Sequence, residues 1–380
     1  MDILIKPSIL KGKIQSIPSK SHAHRAMICA ALSGHPELVS VDNPSEDLTA
    51  TKQTLEIVRG AGAADCRESG TTLRLLVPVA AALGLEVNFI GRGRLPLRPM
   101  EPLLSLLAEH GSHFSQPTLP FRLSGRLRSG RYEIPGNISS QYISGLLLAL
   151  PLLAGDSQLV LTTGLESSAY VAMTLDCQKH FGICIEPGDS GWHIPGGQTY
   201  RAPKTFTVEG DWSNSAFWLA ASALGSDIEV LGLSEDSLQP DRRICTILQT
   251  GETDTDAREI PDLVPILAVL ACGKKETTFL RNCGRLRLKE SDRIESVKAM
   301  ILSLGGDIRS EGDHLIIQGH GNLNGGIVDS FGDHRIVMAS AIAATLCRNP
   351  VVIRDAQAAA KSYPAFFSDY NTLGGDAHVV

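Results

Sequence analysis

Six segments of this 380-residue chain repeat one design, a polar or Gly-rich turn that opens an apolar helix. The openings are Ser19-Lys20-Ser21, Ser69-Gly70-Thr71, Ser139-Ser140-Gln141, Asp211-Trp212-Ser213-Asn214, Pro261-Asp262 and Gly332-Asp333-His334-Arg335. A second ladder interleaves with the first, an amphipathic helix running into Gly and then a short alternating strand. With Gly62, Gly111, Gly182, Gly251, Gly305 and Gly374 as its rungs, the steps are 49, 71, 69, 54 and 69 residues by subtraction. Glycine at such a position fits a left-handed helix C-cap. Strand-like pieces follow at 180–185 and 191–194, and again at 307–309 and 314–317. Steps this long exceed those of ordinary solenoids, so the units read as supersecondary blocks grouped three and three into globular domains. The crossover is expected near 208–211, after the Pro- and Gly-rich stretch 195–203. That gives domains 19–208 and 1–18 plus 209–380.

A helix N-terminus presents free N–H groups and a partial positive charge. Openings that carry Lys, Arg and Ser therefore suggest a protein that grips small anions such as phosphates or carboxylates. Yet the chain as a whole is acidic, with a formal net charge of −6. That excludes a general nucleic-acid or membrane-surface binder, which needs many phosphate-neutralising cations spread over a face. The local basic clusters must serve something small. The N-terminus shows no secretory pattern, and the richest apolar stretch, 142–155, is too short and too interrupted to span a bilayer. A cytoplasmic protein is expected. The 8 cysteines form no Cys-x-x-Cys pair, so no metal site or disulfide framework is expected, only reduced thiols in apolar surroundings.

The openings carry candidate chemistry one by one. Ser19 can cap its helix, Lys20 stands at the mouth, and the i, i+4 spacing puts Ser21 and Arg25 on one face. Gly70 lets backbone amides approach a ligand, with Arg74 a turn later. Arg92, Arg94 and Arg98 cluster in a Gly- and Pro-rich loop, where a guanidinium between prolines suits bidentate capture of phosphate or carboxylate. Ser139, Ser140 and Gln141 can donate to a phosphate without adding charge. Segment 285–293 is the densest charged run; a solvated helix start is its plain explanation. Asp262 is either a routine acidic cap or a base facing the anion pocket.

Taken together, Pro18-Ser19-Lys20-Ser21 with Arg25, Gly70-Thr71 with Arg74, Leu97-Arg98-Pro99-Met100, Ser139-Ser140-Gln141, Leu288 to Arg293, Asp333-His334-Arg335 and Lys361-Ser362-Tyr363-Pro364 resemble the 5-enolpyruvylshikimate-3-phosphate synthase family, in order and over the whole chain. The resemblance implies an α/β two-domain enolpyruvyltransferase fold (an inverse α/β barrel) of six βαβαββ units, three per domain, closing on its substrates. It implies a transferase that moves the enolpyruvyl group of phosphoenolpyruvate to the 5-hydroxyl of shikimate 3-phosphate and releases phosphate, in the shikimate pathway. No metal or organic cofactor, no nucleic acid and no membrane is implied, and the enzyme is expected to be a monomer. Carried over by position, Lys20, Ser21, Arg25, Ser139, Ser140, Gln141, Ser167, Tyr170, Asp262 and Lys289 resemble the shikimate 3-phosphate site. Lys20, Gly70, Arg98, Gln141, Arg293, Arg335 and Lys361 resemble the phosphoenolpyruvate site, where glyphosate competes. Asp262, Glu290, Lys20 and His334 are the catalytic candidates.

Departures bear on the fine shape of the phosphoenolpyruvate pocket. Glu68-Ser69 precedes Gly70 where relatives more often have Asn-Ala, Leu75 replaces a common proline, position 285 is Arg, and the chain looks short for the family. Two rivals are weighed. A UDP-N-acetylglucosamine enolpyruvyltransferase would be expected to carry a cysteine near 92–98, yet none lies between Cys66 and Cys177. A non-catalytic anion binder would have no need of Asp262 and Glu290, which repel phosphates.

Overall fold

A computed structural model describes residues 1–60 and 62–380. Ala61 and the Arg59 side chain, both in the first rung of the glycine ladder, lie outside the described residues. By its internal contacts the chain divides into two units, Lys20–Val208 and Met1–Ser19 with Glu209–Val380. Strands β1 (Ile3–Lys6) and β2 (Lys11–Gln15) thus lead into the second of these.

The Lys20–Val208 unit begins with helices α1 (Lys20–Leu32) and α2 (Glu46–Thr54). Next come β3 (Ala63–Asp65), α3 (Gly70–Leu83), β4 (Val87–Ile90), α4 (Leu103–Glu109), β5 (Ser112–Phe114) and β6 (Phe121–Gly125). The pattern repeats as β7 (Arg131–Ile134), α5 (Ser140–Ala149), β8 (Ser157–Leu161), α6 (Ser168–His180), β9 (Glu186–Gly188) and β10 (Gly191–Ile194). The other unit continues with α7 (Trp212–Ala223), β11 (Asp227–Leu231) and α8 (Arg243–Thr250), then β12 (Asp254–Asp256), α9 (Val264–Gly273), β13 (Thr277–Arg281), α10 (Arg293–Ser303), β14 (Asp307–Glu311) and β15 (His314–Gln318). It closes with β16 (Gly326–Asp329), α11 (His334–Ala343), β17 (Val351–Arg354), α12 (Phe366–Thr372) and β18 (Asp376–Val379).

Three blocks are complete βαβαββ units with the same sheet order, for instance β12-β13-β15-β14. In each, the first two strands run parallel and the hairpin pairs antiparallel. The last block is completed by the N-terminus, since β1 fills the third place in the sheet β16-β17-β1-β18. The remaining two blocks fall short of the expected strand complement. One has only the parallel pair β2 and β11, because Gly251–Thr253 between α8 and β12 is too short for a hairpin. The other, around α1 and α2, has no strand of its own among the described residues.

Each of the six openings starts a buried helix, as expected. Helix α9 is apolar all round, and everything from Val264 to Cys272 is buried, as befits a helix enclosed on every side. It packs against α7 and α11 in the centre of its unit. In the other unit α3 and α5 lie closely together, because Gly145 rests against the Arg74 carbonyl and leaves no room for a Cβ. Five of the six ladder glycines have positive φ after their helices. The first rung differs: the left-handed cap is Gly60 (φ 99), not Gly62. The strand expected at 180–185 is also displaced, because α6 runs on to His180 and its glycine cap uses 181–182; the strand proper is Glu186–Gly188. Six cysteines are buried as expected, while Cys184 is exposed and Cys245 half-buried.

Candidate active site

In the Lys20–Val208 unit, the mouths of α1, α3, α5 and α6 collect the cations. Arg25, one turn into α1, is 2% exposed. Its Nε donates to Thr174 Oγ1 (2.7 Å), and its two Nη atoms donate to the carbonyls of Ser21 (2.6 Å) and Tyr170 (3.0 Å). The Tyr170 ring stands 5.9 Å from the guanidinium carbon. Burial lowers the Arg25 pKa to about 10, which leaves it a full cation at neutral pH. Helices α1, α5 and α6 are therefore tied around one fixed charge. Lys20 pairs with Asp47 of α2 at 2.9 Å, both mostly buried.

The α3 and α5 mouths are cross-linked. Arg74 Nη1 donates to Gln141 Oε1 (3.0 Å), Gln141 Nε2 donates to Thr71 Oγ1 (2.8 Å), and Arg74 Nη2 reaches the Pro99 carbonyl (3.2 Å). A Cβ on Gly70 would lie 2.7 Å from Arg98 Nη1 and 2.8 Å from Arg74 Nη1. Glycine is thus what admits two guanidinium groups to the first turn of α3, where free N–H groups also point. Of the arginine cluster, Arg98 alone turns to this mouth in part; Arg92 and Arg94 are exposed. Ser139 precedes α5, Ser140 is buried in its first turn, and Ser167 precedes α6 with a left-handed backbone (φ 55).

In the other unit a single ion network joins the mouths of α9, α10 and α11. Asp262, in the 3-10 turn Pro261–Leu263 before α9, faces Arg293 (2.7 Å), Arg335 (3.1 Å) and Lys289 (3.5 Å). Burial works to raise the Asp262 pKa, but Arg335, Lys289 and Arg293 outweigh it and hold the carboxyl well below the usual range. Arg293, 1% exposed, also meets Glu290 (2.7 Å) and Asp333 (2.8 Å). Asp333 caps α11 through the Arg335 N–H; burial pushes it up and Arg293 pulls it below its ordinary value. Burial lowers Lys289 despite its partner Asp262. Lys361 donates to the Gly332 carbonyl at 2.8 Å, and His334 is buried with Nδ1 3.8 Å from Asp333.

The expected residues of this unit, Asp262, Lys289, Glu290, Arg293 and Arg335, come together in one network spanning 73 residues of chain. Reading the sequence missed several partners. Asp47 holds Lys20, Arg74 and Thr71 hold Gln141, and Asp333 is a buried ion-pair partner as well as a cap. The largest omission is Asp241, fully buried in the 3-10 turn Pro240–Arg242, which accepts a hydrogen bond from Ser213 Oγ. Burial, then the nearby Asp262 charge, raises its pKa to about 7. The signal was present: Pro240-Asp241 repeats the Pro261-Asp262 dipeptide, likewise in a 3-10 turn just before a helix.

Chemically, Lys289, Arg293 and Arg335 face Asp262, Glu290 and Asp333, a balance of charge when Asp241 is protonated. A carboxylate held by three cations is a weak base. An anion that drew those cations toward itself would restore the basicity of Asp262.

A family model described as EPSP synthase (3-phosphoshikimate 1-carboxyvinyltransferase) matches residues 56–253 and 249–370. The chain belongs to the EPSP synthase family. A 3-phosphoshikimate 1-carboxyvinyltransferase of Clostridium kluyveri is 40% identical, with 98% of this chain and 97% of the relative covered. One from Clostridium acetobutylicum is 40% identical, covering 99% and 98%. Among solved structures, EPSP synthase from Acinetobacter baumannii matches with a TM-score of 0.80 at 22% identity, covering 100% of both chains. The enolpyruvyl transferase NikO from Streptomyces tendae matches at 0.74 and 17%, covering 99% and 98%; these two bear on the fold. The alignment with the Clostridium kluyveri relative runs over 418 positions, more than the 380 residues of this chain. That relative therefore carries residues with no counterpart in this EPSP synthase family member. Its membership makes it a transferase of the shikimate pathway and disfavours both rival readings.

Proposed function

We propose that this chain is a 3-phosphoshikimate 1-carboxyvinyltransferase and that the helix-mouth cluster of each unit serves that reaction. The Lys20–Val208 unit supplies most of the contacts to shikimate 3-phosphate, and the other unit much of the phosphoenolpyruvate site. The observation that carries this is the pairing of fixed cations with carboxylates at helix mouths in the second unit. An anion binder gains nothing from Asp262 and Glu290, whereas a reaction that moves protons between anions needs them.

In the addition step, a proton goes to the methylene carbon of phosphoenolpyruvate while the 5-hydroxyl oxygen bonds to the adjacent carbon and loses its own proton. In the elimination step, the new methyl group gives up a proton, the double bond re-forms, and the bond to the phosphate oxygen breaks. Asp262 and Glu290 are the carboxylates for these transfers, and Lys20 is the acid near the bridging oxygen. Arg25, Ser21, Ser139, Ser140, Gln141, Ser167, Tyr170, Asp262 and Lys289 hold shikimate 3-phosphate. Gly70, Arg98, Gln141, Arg293, Arg335 and Lys361, with Lys20, hold phosphoenolpyruvate. Fixed guanidinium groups and helix ends offset the repulsion between two polyanions and cost no reorganisation during reaction. His334, with Nδ1 3.8 Å from Asp333, is the remaining catalytic candidate.

The enzyme is read as a cytoplasmic monomer; no helix among the described residues is long and apolar enough to cross a membrane. The deciding assay is phosphate release. It should require shikimate 3-phosphate and phosphoenolpyruvate together, and release from either one alone, or no release from the two together, would overturn the reading.

A further inference from the structure

Beneath the helix mouths of the Lys20–Val208 unit, a strip of buried polar side chains crosses from α1 through α2 to α3. His24 Nδ1 lies 2.7 Å from Thr51 Oγ1, Thr51 Oγ1 lies 2.6 Å from Thr72 Oγ1, and Thr72 donates to Ser69 Oγ at 2.8 Å. All four side chains are buried. With the Thr72 proton given to Ser69, Thr51 gives its own to Thr72 and His24 donates through Nδ1. The network thus assigns one tautomer of a neutral imidazole. Burial first, then Lys20 and Arg25, hold the His24 pKa well below its ordinary value. Its Nε2 is buried without a hydrogen-bond partner among the described residues, so protonation would strand an N–H and bury another cation beside those two.

The strip starts one turn below the ion pair of Lys20 with Asp47. Lys20 and His24 stand four residues apart on α1, and Asp47 and Thr51 four apart on α2, so two rungs join the same faces of the two helices. Thr72 Oγ1 also lies 3.5 Å from the Asp47 carbonyl oxygen, and Ser69 caps α3 by accepting the Thr72 N–H. Valine at 51 and 72 would fill the same space with no buried hydroxyl to satisfy. What the hydroxyls add is a fixed register between the three helices.

We propose that His24, Thr51 and Thr72 are positioning residues for the transfer reaction: the strip they form with Ser69 fixes Asp47, and through it the Lys20 ammonium, against the first turn of α3. This rests on the placement of Lys20 in the reacting site. Displacing such a group by about 1 Å can cost on the order of 100-fold in rate.

Thr51→Val keeps the shape of the central residue and removes its hydroxyl, whereas Thr51→Ser keeps the hydroxyl and removes a methyl group. In the phosphate-release assay with both substrates, the kcat of Thr51→Val should fall about 10–100-fold, and that of Thr51→Ser should stay close to the unmodified enzyme. In a Lys20→Ala background Thr51→Val should lower kcat no further, because the strip acts through Lys20. His24→Asn, whose amide can donate where Nδ1 does, should keep the turnover that His24→Leu loses; this pair tests the other end of the strip if Thr51→Val does not fold. A strip that served folding alone would lower the melting temperature of Thr51→Val and leave turnover by the folded fraction unchanged. With an active parent, the proposal is overturned by normal kcat in Thr51→Val, an equal loss in Thr51→Ser, a further loss in the Lys20→Ala background, or equal turnover in His24→Asn and His24→Leu. No phosphate release by the unmodified enzyme would overturn the functional reading and this inference with it.

Discussion

Replacing Asp241 by Asn should remove a large part of the pH dependence of stability of its unit. The side chain is fully buried, and burial together with the Asp262 charge raises its pKa to about 7. In the unfolded chain an aspartate titrates near ~3.9. The folded state therefore holds its proton where the unfolded state has lost it, so this group is least destabilising at low pH, and stability falls as pH rises toward the folded value. Between pH 5 and pH 8 the two pKa values imply a loss of about 2.5 kcal/mol, from the linkage between proton binding and folding. Asn cannot ionise, so that slope should vanish. Any fixed cost of placing an amide there is the same at both pH values and cancels in the difference. The assay follows denaturant unfolding by tryptophan fluorescence in a Trp192→Phe background. The chain has 3 tryptophans, and the remaining two, Trp212 and Trp218, are both buried in this unit. If Asp241→Asn and its parent lose the same stability between pH 5 and pH 8, Asp241 is ionised throughout and the reasoning fails.

Glu290→Gln should leave affinity and melting temperature nearly unchanged and lower turnover by about 10²–10⁴-fold; near-normal turnover would leave Asp262 and Lys20 to carry the protons. Arg335→Ala should mainly weaken phosphoenolpyruvate and Arg25→Ala mainly shikimate 3-phosphate, by roughly 1.5–3 kcal/mol for a charge-assisted contact. Arg25→Ala should also lower the melting temperature, because four internal hydrogen bonds go with it; equal effects of both variants on both ligands in calorimetry would refute the division. Gly70→Ala puts a Cβ 2.7 Å from Arg98 and 2.8 Å from Arg74, so it should raise the KM for phosphoenolpyruvate about tenfold or more, the loss of one such contact; an unchanged KM would show that those guanidinium groups do not serve that ligand.

The helices and their mouths were legible in the amino-acid sequence, because those signals are local. Ser69, Asp211 and Asp333 are side chains that cap within three residues of themselves, and an apolar run such as 264–272 announces its burial. It also carried the ordered motifs that resemble the family. It misplaced features in which two local signals compete. Gly60 and Gly62 could each cap the first rung, and the 180–185 segment alternates like a strand although α6 and its cap consume most of it. Tertiary structure alone decided the pairings: that β1 closes the last sheet across the length of the chain, that Asp47 meets Lys20, and that Asp262 gathers three cations from two other segments. It also decided which carboxylates are strong and which are held protonated. Asp241 and Asp262 follow proline in the same kind of turn, yet the pKa of one is raised to about 7 and the other is held low. The difference lies in how many cations fold brings beside each, and a charge in a dry interior answers to those neighbours rather than to its own place in the sequence.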